Sequence, residues 1–585
     1  MSNRIKIGIR HLAEFCCRSG DLGYDSGPSV TGLEGIQTHQ KIQQRYSGQA
    51  QAEQAVKLEI TIDDYEVELG GRIDLLFDQE IPPRIEEIKT VYSFIGQDPE
   101  HEHENETHWA QLKCYAAVYA LQHQIDPIGA SLNYANLFNQ REHRSSKKFQ
   151  RAELDTFLRQ ILKRYLDWHK LVSNQHEITL GSARTLSFPY PAFRSQQQYF
   201  ARVVYRNIQR QQHLLVEAPT GAGKTISTLF PAVKAIGEDL SDQIVYLSAK
   251  TSGQNEAIKA IEQMIGQGLQ ISYLVIRAKA KSCACVVDQN EVNAEGKCLR
   301  CLGFFERLPE ARESLLQLRK LSSEQIRLVA DEFQLCAFEL SLQMLPWVDI
   351  IICDFNYVFD PLVQLSYFKT DSKRKTLLID EMHNLVDRAR GMHSASISRD
   401  QVKQAANSSN GHSLNRSINA IVTALDQYAR AQTGDEAVSE DFPDAVSKAA
   451  SRFIEKTGQD LFDNKNHAIE TLELAKTIFR YQCISNLYGA HHRTICRTTL
   501  EQREVRLLCL NGFEFLKLTY PLFSSVCGFS ATLSPAGYFM PALGLDPQAE
   551  CLRLASSFPN EHLQVSIGSF IDTRYRQRDH YIASI

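Results

Sequence analysis

The stretch HLLVEAPTGAGKTISTLF, His213 to Phe230, decides the fold. Leu214, Leu215 and Val216 form an apolar run that leads into a small-residue turn and then a helical pattern, as a phosphate-binding loop requires. Gly221 and Gly223 let backbone N–H groups approach phosphates and point at them. Lys224 supplies a positive charge for the β- and γ-phosphates of ATP, and the Thr225 hydroxyl can hold Mg²⁺. Ala218 stands where the usual pattern has its first glycine, so the match is not literal.

A second element, KTLLIDEMHNLVD from Lys375 to Asp387, supports the same chemistry. The apolar strand Leu377–Ile379 ends in Asp380 and Glu381. A carboxylate at the end of a buried strand is where a P-loop fold places a Mg²⁺ ligand, and Asp380 fits. Glu381 is positioned to orient or deprotonate the attacking water, and His383 follows. Solvated acids at a strand end explain this poorly, because strand, acids and histidine occur together downstream of a phosphate loop. The two elements predict an Mg–ATP hydrolase.

The order of elements resembles a superfamily 2 DNA helicase of the XPD/DinG (Rad3-like) type. FRSQQQYFARVV precedes the loop, YLSAKTSGQ follows it, DEMH comes next, and GFSATLSPAGYF comes later. The resemblance runs from about Phe188 to the C-terminus. It implies that the Arg194–Gln197 region contacts the nucleotide base, that Thr251 touches the DNA strand, and that Ser530, Ala531 and Thr532 couple hydrolysis to DNA. Met382 replaces the commoner alanine. Only about fifty residues follow SATLSP, with no Gln-rich, Arg-containing motif of a second RecA-like domain. The expectation is therefore a fragment, or a truncated product, with little DNA-stimulated ATPase.

The chain has 585 residues, 43% hydrophobic and 23% charged, which is ordinary for a multidomain globular protein. No apolar run reaches the ~18 residues of a membrane span, and the charged start MSNRIKIGIRHLAEF lacks a signal-peptide core. A cytoplasmic protein is expected. The net charge of −5 gives no global basic footprint, so any nucleic-acid surface must be local. Arg141–Lys170 carries nine Lys/Arg against four Asp/Glu. Its stripe of Leu154, Leu158, Ile161, Tyr165 and Trp168, continued by Val172, predicts an amphipathic helix, more simply a packed one with a solvated basic face.

Fourteen cysteines in a reducing compartment argue against a disulfide framework. IRAKAKSCACVVDQNEVNAEGKCLRCLGFFERL, from Ile276, crowds Cys283, Cys285, Cys298 and Cys301 together. Cys298-x-x-Cys301 is compatible with zinc, a redox pair or an iron–sulfur cluster, and ligand chemistry alone does not choose. The helicase resemblance implies a [4Fe–4S] cluster held by Cys283, Cys298, Cys301 and Cys336, the last from QLCAFELSLQMLPWVDIIICDFNYVFDP. Cys285 is the alternative first ligand. Cys353 is expected in the core.

Before Phe188 the pattern changes. VKLEITIDDYEVELGGRIDLLFDQEIPPRIEEIKT, Val56 to Thr90, alternates apolar and polar residues and predicts antiparallel strands turning at Gly70–Gly71 and again at Pro82–Pro83. Asp74 follows the first turn. Glu87 and Lys89 share one strand face, with Ile88 toward the core. An aspartate, a glutamate and a lysine converging could hold Mg²⁺ and activate water against a phosphodiester, although Glu-x-Lys is common on solvated strands. LEGIQTHQKIQ puts His39 on an upstream helix, and HWAQLKCYAAVYA puts Gln111 and Tyr115 four apart downstream. The set is similar to RecB-type PD-(D/E)xK nucleases. That resemblance implies that His39, Asp74 and Glu87 bind Mg²⁺ or Mn²⁺, that Lys89 activates water, and that Gln111 and Tyr115 contact substrate. No second cluster is expected, since Cys16, Cys17 and Cys114 do not supply its pattern.

The expected architecture is α/β: an α/β restriction-endonuclease-like nuclease domain (1–180) before a RecA-like P-loop motor (186–277, 341–392 and 481–535). The motor is interrupted by an Fe–S insert (278–340) and a helical arch-like insert (393–480), and followed by the start of a second motor domain (536–585). The expected partner is single-stranded or forked DNA, in repair or replication-associated processing. The rival reading is a DNA-binding scaffold with a degenerate nuclease fold and an incomplete motor.

Overall fold

The computed structural model describes residues 4–22, 32–91, 105–136, 141–283, 292–293, 298–408, 412–462, 468–499, 503–546, 548–556, 561, 564–572, 574 and 576–584. The N-terminal part is a six-stranded mixed sheet of β1 (Arg4–Gly8), β2 (Gln51–Ile62), β3 (Tyr65–Phe77), β4 (Arg84–Val91), β5 (Ile128–Asn136) and β6 (Glu142–Phe149). The order is β1-β3-β4-β5-β6, with β2 also paired to β3. β1 runs parallel to β3 and β4 to β5, whereas the other pairs are antiparallel. Helices α1 (Ile9–Cys17), α3 (Glu106–His123) and α4 (Arg151–Thr185) pack around a core that includes Leu12, Leu69, Ile73, Leu112 and Leu158. Ile42 of α2 (Gly32–Arg45) packs with Leu75, Phe77, Ile88 and Ala135 in a second, smaller core.

Two local expectations need correction. Gly70 and Gly71 are not a turn; they lie inside β3, and the chain reverses at Asp63–Asp64, where Asp63 takes φ +50. Glycine at 71 answers a packing demand instead: a Cβ there would lie 2.7 Å from Tyr115 Cε1. The basic stretch is not one helix. Residues 142–149 are edge strand β6, whose alternating burial is strand-like, and the helix starts at Arg151. It then runs 35 residues, through the expected boundary at 180. Its first half buries Leu154, Leu158 and Ile161 in the N-terminal core, while Trp168 and Ala183 enter the two cores of the motor.

The motor sheet starts with β7 (His213–Glu217), β8 (Gln243–Leu247), β9 (Tyr273–Val275), β10 (Lys320–Leu321), β11 (Ile350–Cys353) and β12 (Lys375–Asp380). The chain then leaves for a four-stranded antiparallel sheet, β13 (Ala395–Ser398), β14 (Glu436–Ser439), β15 (His492–Thr498) and β16 (Arg503–Cys509), backed by helices. It returns with β17 (Ser525–Ser530) and β18 (Glu550–Arg553). The eight motor strands lie in the order β10-β9-β11-β8-β12-β17-β7-β18, all parallel. Both faces are covered, which explains the unbroken apolar runs of β8, β11 and β12. Helices α5 (Gln197–Arg210), α6 (Lys224–Gly237) and α7 (Thr251–Gly266) flank it.

Three boundaries move. His492–Thr498 and Arg503–Cys509 belong to the antiparallel insert, because HRTICRT and REVRLLC alternate with period two and pair with each other. The insert is therefore not purely helical and does not end at 480. β10, expected inside the cysteine insert, extends the motor sheet beside β9. β18 extends the opposite edge beside β7, so residues 550–553 complete the first sheet instead of opening a second. Among the described residues no helix is long and apolar enough to cross a membrane.

Candidate functional site

The phosphate loop closes between β7 and α6. Gly221 and Gly223 take φ +80 and +70, a backbone that disfavours any side chain. Ala218 needs no such freedom: it is buried, and its N–H donates to the Ser530 carbonyl at 2.9 Å. This explains the departure from the usual first glycine. Gln197 lies against the loop, since a Cβ on Gly223 would fall 2.3 Å from its Nε2. Its Oε1 accepts from the Arg194 N–H at 2.9 Å, and the Arg194 guanidinium donates to the Gly221 carbonyl at 2.6 Å. In this state Arg194 and Gln197 brace the loop.

β12 delivers the acids. Asp380 is 9% exposed, and burial together with neighbouring Glu381 raises its carboxyl to about 6 against the opposing pull of Lys224. Lys224 Nζ is 4.0 Å from Glu381 Oε1. Glu381 sits at φ +48, ψ +48, uncommon for a residue with a side chain. That turn directs its carboxylate to β17, where Ser530 Oγ donates to Glu381 Oε2 at 2.7 Å. His383 Nδ1 is 2.6 Å from the same hydroxyl and 3.3 Å from Glu381 Oε2. Thr532 N–H reaches Ser530 Oγ at 3.4 Å. Ser530 thus joins the acid, the histidine and the SATLSP segment in one network.

Sequence reasoning missed two residues here. The Tyr246 hydroxyl is fully buried, and burial beside Asp380 pushes it well above its ordinary range. It lies within reach of Thr225 and Asp380 yet completes no hydrogen bond. An orphaned hydroxyl beside the two oxygen donors fits a place for hydrated Mg²⁺, which when bound would neutralise phosphate charge. Gly253, in the first turn of α7, is the second: a Cβ there would lie 2.1 Å from Ser248 Oγ and 2.9 Å from Asp380 Oδ2. Thr251 starts the same helix and is exposed.

The cysteine insert brings its predicted thiols together. Cys283, Cys298, Cys301 and Cys336 are 1%, 3%, 4% and 1% exposed, and no disulfide joins them. Cys336 Sγ is 3.9 Å from Cys283 Sγ. Hydrogen bonds from Cys301 and, to a lesser degree, Cys283 lower the Cys336 thiol to about 6. The bond to Cys336, then burial and Cys298, drive Cys301 upward. Four thiols so disposed fit a four-thiolate group in donor type and burial. Cys285 lies outside the described residues. Cys353 is buried on β11 as expected.

The N-terminal set also converges. Asp74 Oδ2 accepts the Ile88 N–H at 2.7 Å, and its Oδ1 is 3.6 Å from His39 Nδ1. Lys89 Nζ donates to Glu87 Oε1 at 2.9 Å and to Gln111 Oε1 at 2.8 Å, and Gln111 Nε2 donates to Glu87 Oε1 at 2.7 Å. Burial and the charge of Asp74 raise Glu87 to about 7, against the pull of Lys89. Glu87 Oε2 is buried with no partner, so one carboxylate oxygen remains to meet a cation. Burial lowers the His39 imidazole, but Asp74 more than offsets this and raises it overall. Tyr115 packs over Gly71, its phenol raised by burial and Glu87. Among the described residues, no three His, Cys, Asp or Glu side chains already surround a point where one ion could be held.

Residues 265–402 match the DEAD_2 family. The chain is 22% identical over 280 residues to the general transcription and DNA repair factor IIH helicase subunit XPD of Arabidopsis thaliana, covering 43% of this chain and 36% of that protein. It is 25% identical over 246 residues to a regulator of telomere elongation helicase 1 homolog of the same plant, covering 34% and 23%. It is 32% identical over 85 residues to the ATP-dependent DNA helicase CHL1 of Candida glabrata, covering 14% and 10%. A solved XPD helicase structure aligns at a TM-score of 0.43 and 16% identity, over 62% of each chain. The chain thus spans well under half the length of the curated relatives it matches. What the chain shows is a DEAD_2 match confined to residues 265–402 and a partial similarity, at 21–22% identity, to XPD-type helicase subunits.

Proposed function

We propose that the chain is an ATP-driven DNA helicase of the XPD/Rad3 type with a metal-dependent nuclease domain on its N-terminal side. The observation that carries the motor half is the Ser530 hydroxyl, bonded to both Glu381 and His383 beside Lys224. Lys224, Thr225 and Asp380 hold Mg–ATP, Glu381 prepares the attacking water, and Ser530 transmits hydrolysis to the segment that grips DNA. Arg194 and Gln197 would turn from the loop to the base, and Thr251 would meet the strand. The direction is 5′ to 3′ on single-stranded or forked DNA, in repair or replication-associated processing. ATP hydrolysis measured with and without single-stranded DNA tests it; wild type that binds ATP but shows no hydrolysis under either condition rejects it.

Cys283, Cys298, Cys301 and Cys336 hold a [4Fe–4S] cluster that shapes the DNA path. Their number, burial and mutual contact support this, and stoichiometric zinc in place of iron in the purified protein would refute the iron while leaving a four-thiolate site. His39, Asp74 and Glu87 bind Mg²⁺ or Mn²⁺, and Lys89 activates water on a phosphodiester positioned by Gln111 and Tyr115. The partnerless Glu87 Oε2 supports that half. Cleavage of labelled single-stranded DNA in Mn²⁺, compared with Asp74→Ala, tests it. Cleavage that persists in the variant removes the site assignment, and none in wild type favours a DNA-binding scaffold.

A further inference from the structure

A cavity of about 860 Å³ opens where the N-terminal layer meets the cysteine insert. It is distinct from the carboxylate site, and α3 stands between them. Gln111 and Tyr115 face Glu87, whereas Trp109 and Lys113 line the cavity. Backbone bonds hold the two walls together: Leu22 N–H donates to the Cys301 carbonyl at 2.8 Å and Phe305 N–H to the Gly20 carbonyl at 3.2 Å.

The wall carries the cations Arg18, Lys113, Lys147, Arg164 and Arg312 against the acids Glu14, Glu106 and Glu306. Two of the acids are engaged, Glu14 with Arg10 at 2.7 Å and Glu306 with the Gly20 N–H at 2.6 Å. Arg312 is 8% exposed, and among the described residues its Nε has no hydrogen-bond partner and no carboxylate acts on it. Its guanidinium lies 4.0 Å from the Phe15 ring centroid and 4.7 Å from that of Trp168. Such stacking offsets only part of what an unpaired buried charge costs. The Trp109 indole N–H, in a side chain 5% exposed, is a second donor without a partner. Buried donors with no acceptor and an excess of cations define an anion site. The flat faces of Trp109, Phe157 and Trp347 stand in the same walls.

We propose that this cavity binds a nucleotide unit of single-stranded DNA, its phosphate on Arg312, Arg164 and Lys113 and its base against the aromatic rings. Cations tracking a backbone beside stacking platforms are the means by which proteins hold single strands without reading sequence. The inference rests on the proposed function only in taking DNA as the polymer.

The protein supplies its own probe. The chain has three tryptophans; Trp109 and Trp347 line the cavity, and Trp168 lies against Arg312. Titration of the full chain with oligothymidylate is expected to quench intrinsic fluorescence, and added salt to weaken the binding. Lys113→Ala/Arg164→Ala is expected to weaken it at least tenfold; Arg164 is exposed and Lys113 half-buried, so the fold should persist. Equal quenching by dTMP supports the nucleotide site and assigns it to free mononucleotides. Absence of quenching, or quenching that the double variant leaves unchanged, overturns the inference. Strand binding by anisotropy without tryptophan quenching sinks this inference and spares the motor; quenching without any ATP hydrolysis does the reverse.

Discussion

Met382 occupies the space that Gly528 leaves open on the neighbouring strand: a Cβ on Gly528 would lie 1.8 Å from Met382 Sδ. Met382 is fully buried between the acids of β12 and β17. The long side chain after Asp380-Glu381 is thus matched by a missing one across the sheet. Gly528→Ala is expected to destabilise by about 1–3 kcal/mol through overpacking. Adding Met382→Ala should restore much of that loss, although Met382→Ala alone leaves a cavity. Denaturant unfolding of the two single variants and the double variant measures the coupling, and simple additivity would show that the pair is independent.

Glu381 and Ser530 separate hydrolysis from its coupling. Glu381→Gln is expected to lower ATP turnover by about 10²–10⁴-fold while leaving nucleotide affinity near wild type. Ser530→Ala keeps the acid but removes the donor to Glu381 Oε2. Its basal turnover should fall less, and the small stimulation by single-stranded DNA expected of wild type should disappear. Steady-state ATPase beside a fluorescent-nucleotide binding assay distinguishes the two. Equal losses of binding in both variants would contradict these roles.

Glu87 gives the N-terminal layer a pH signature. Its carboxyl is raised to about 7 in the folded protein, above its ordinary value of 4.5. Below 4.5 both states are protonated and nothing is lost. Between 4.5 and 7 the unfolded chain releases the proton first, so stability falls as pH rises, and the penalty is complete above 7. Glu87→Gln should therefore stabilise at pH 8 by on the order of 2 kcal/mol and hardly at all at pH 4.5. Chemical denaturation at the two pH values measures it. Binding of Mn²⁺ by the same carboxylate should strengthen as pH rises through 7, and calorimetry in buffers of different ionisation heat should detect the released proton.

The proposed function divides the cysteines into ligands and packing. Cys336→Ala removes a thiol that meets Cys283 and Cys301, whereas Cys353→Ala only shortens a side chain in the core of β11. The first is expected to abolish bound iron and its visible absorbance, and the second to retain both at some cost in stability. Because Leu22 N–H bonds the Cys301 carbonyl, loss of iron should also raise amide exchange in residues 18–22. Hydrogen exchange of the two variants side by side checks this.

The phosphate loop, the acids at the end of β12 and the cysteine set were legible in the amino-acid order because each is a local pattern. Strand periodicity, glycine at positive φ and Cys-x-x-Cys spacing act over a few residues, and the structure keeps Lys224 beside Glu381 as that order implies. The expected turn at Gly70–Gly71 failed because glycine there serves Tyr115, 44 positions away in the chain, and no local signal distinguishes a packing glycine from a turning one. The insert boundary at 480 failed because local periodicity, such as that of HRTICRT and REVRLLC, does not say which sheet a strand joins.

Sequence by itself determined the side chains on offer: a lysine after a glycine loop, paired acids, clustered thiols, and a carboxylate–lysine strand with its Gln and Tyr. Side-chain type and short-range backbone preference carry that information. Only the tertiary structure decided that Ser530 unites Glu381 with His383, that Met382 fills the space over Gly528, and that Arg312 is buried with no counter-charge among the described residues. Those relations arise from strand order and from layers meeting across hundreds of residues, where packing density and the cost of an unpaired charge, not sequence spacing, select the neighbours.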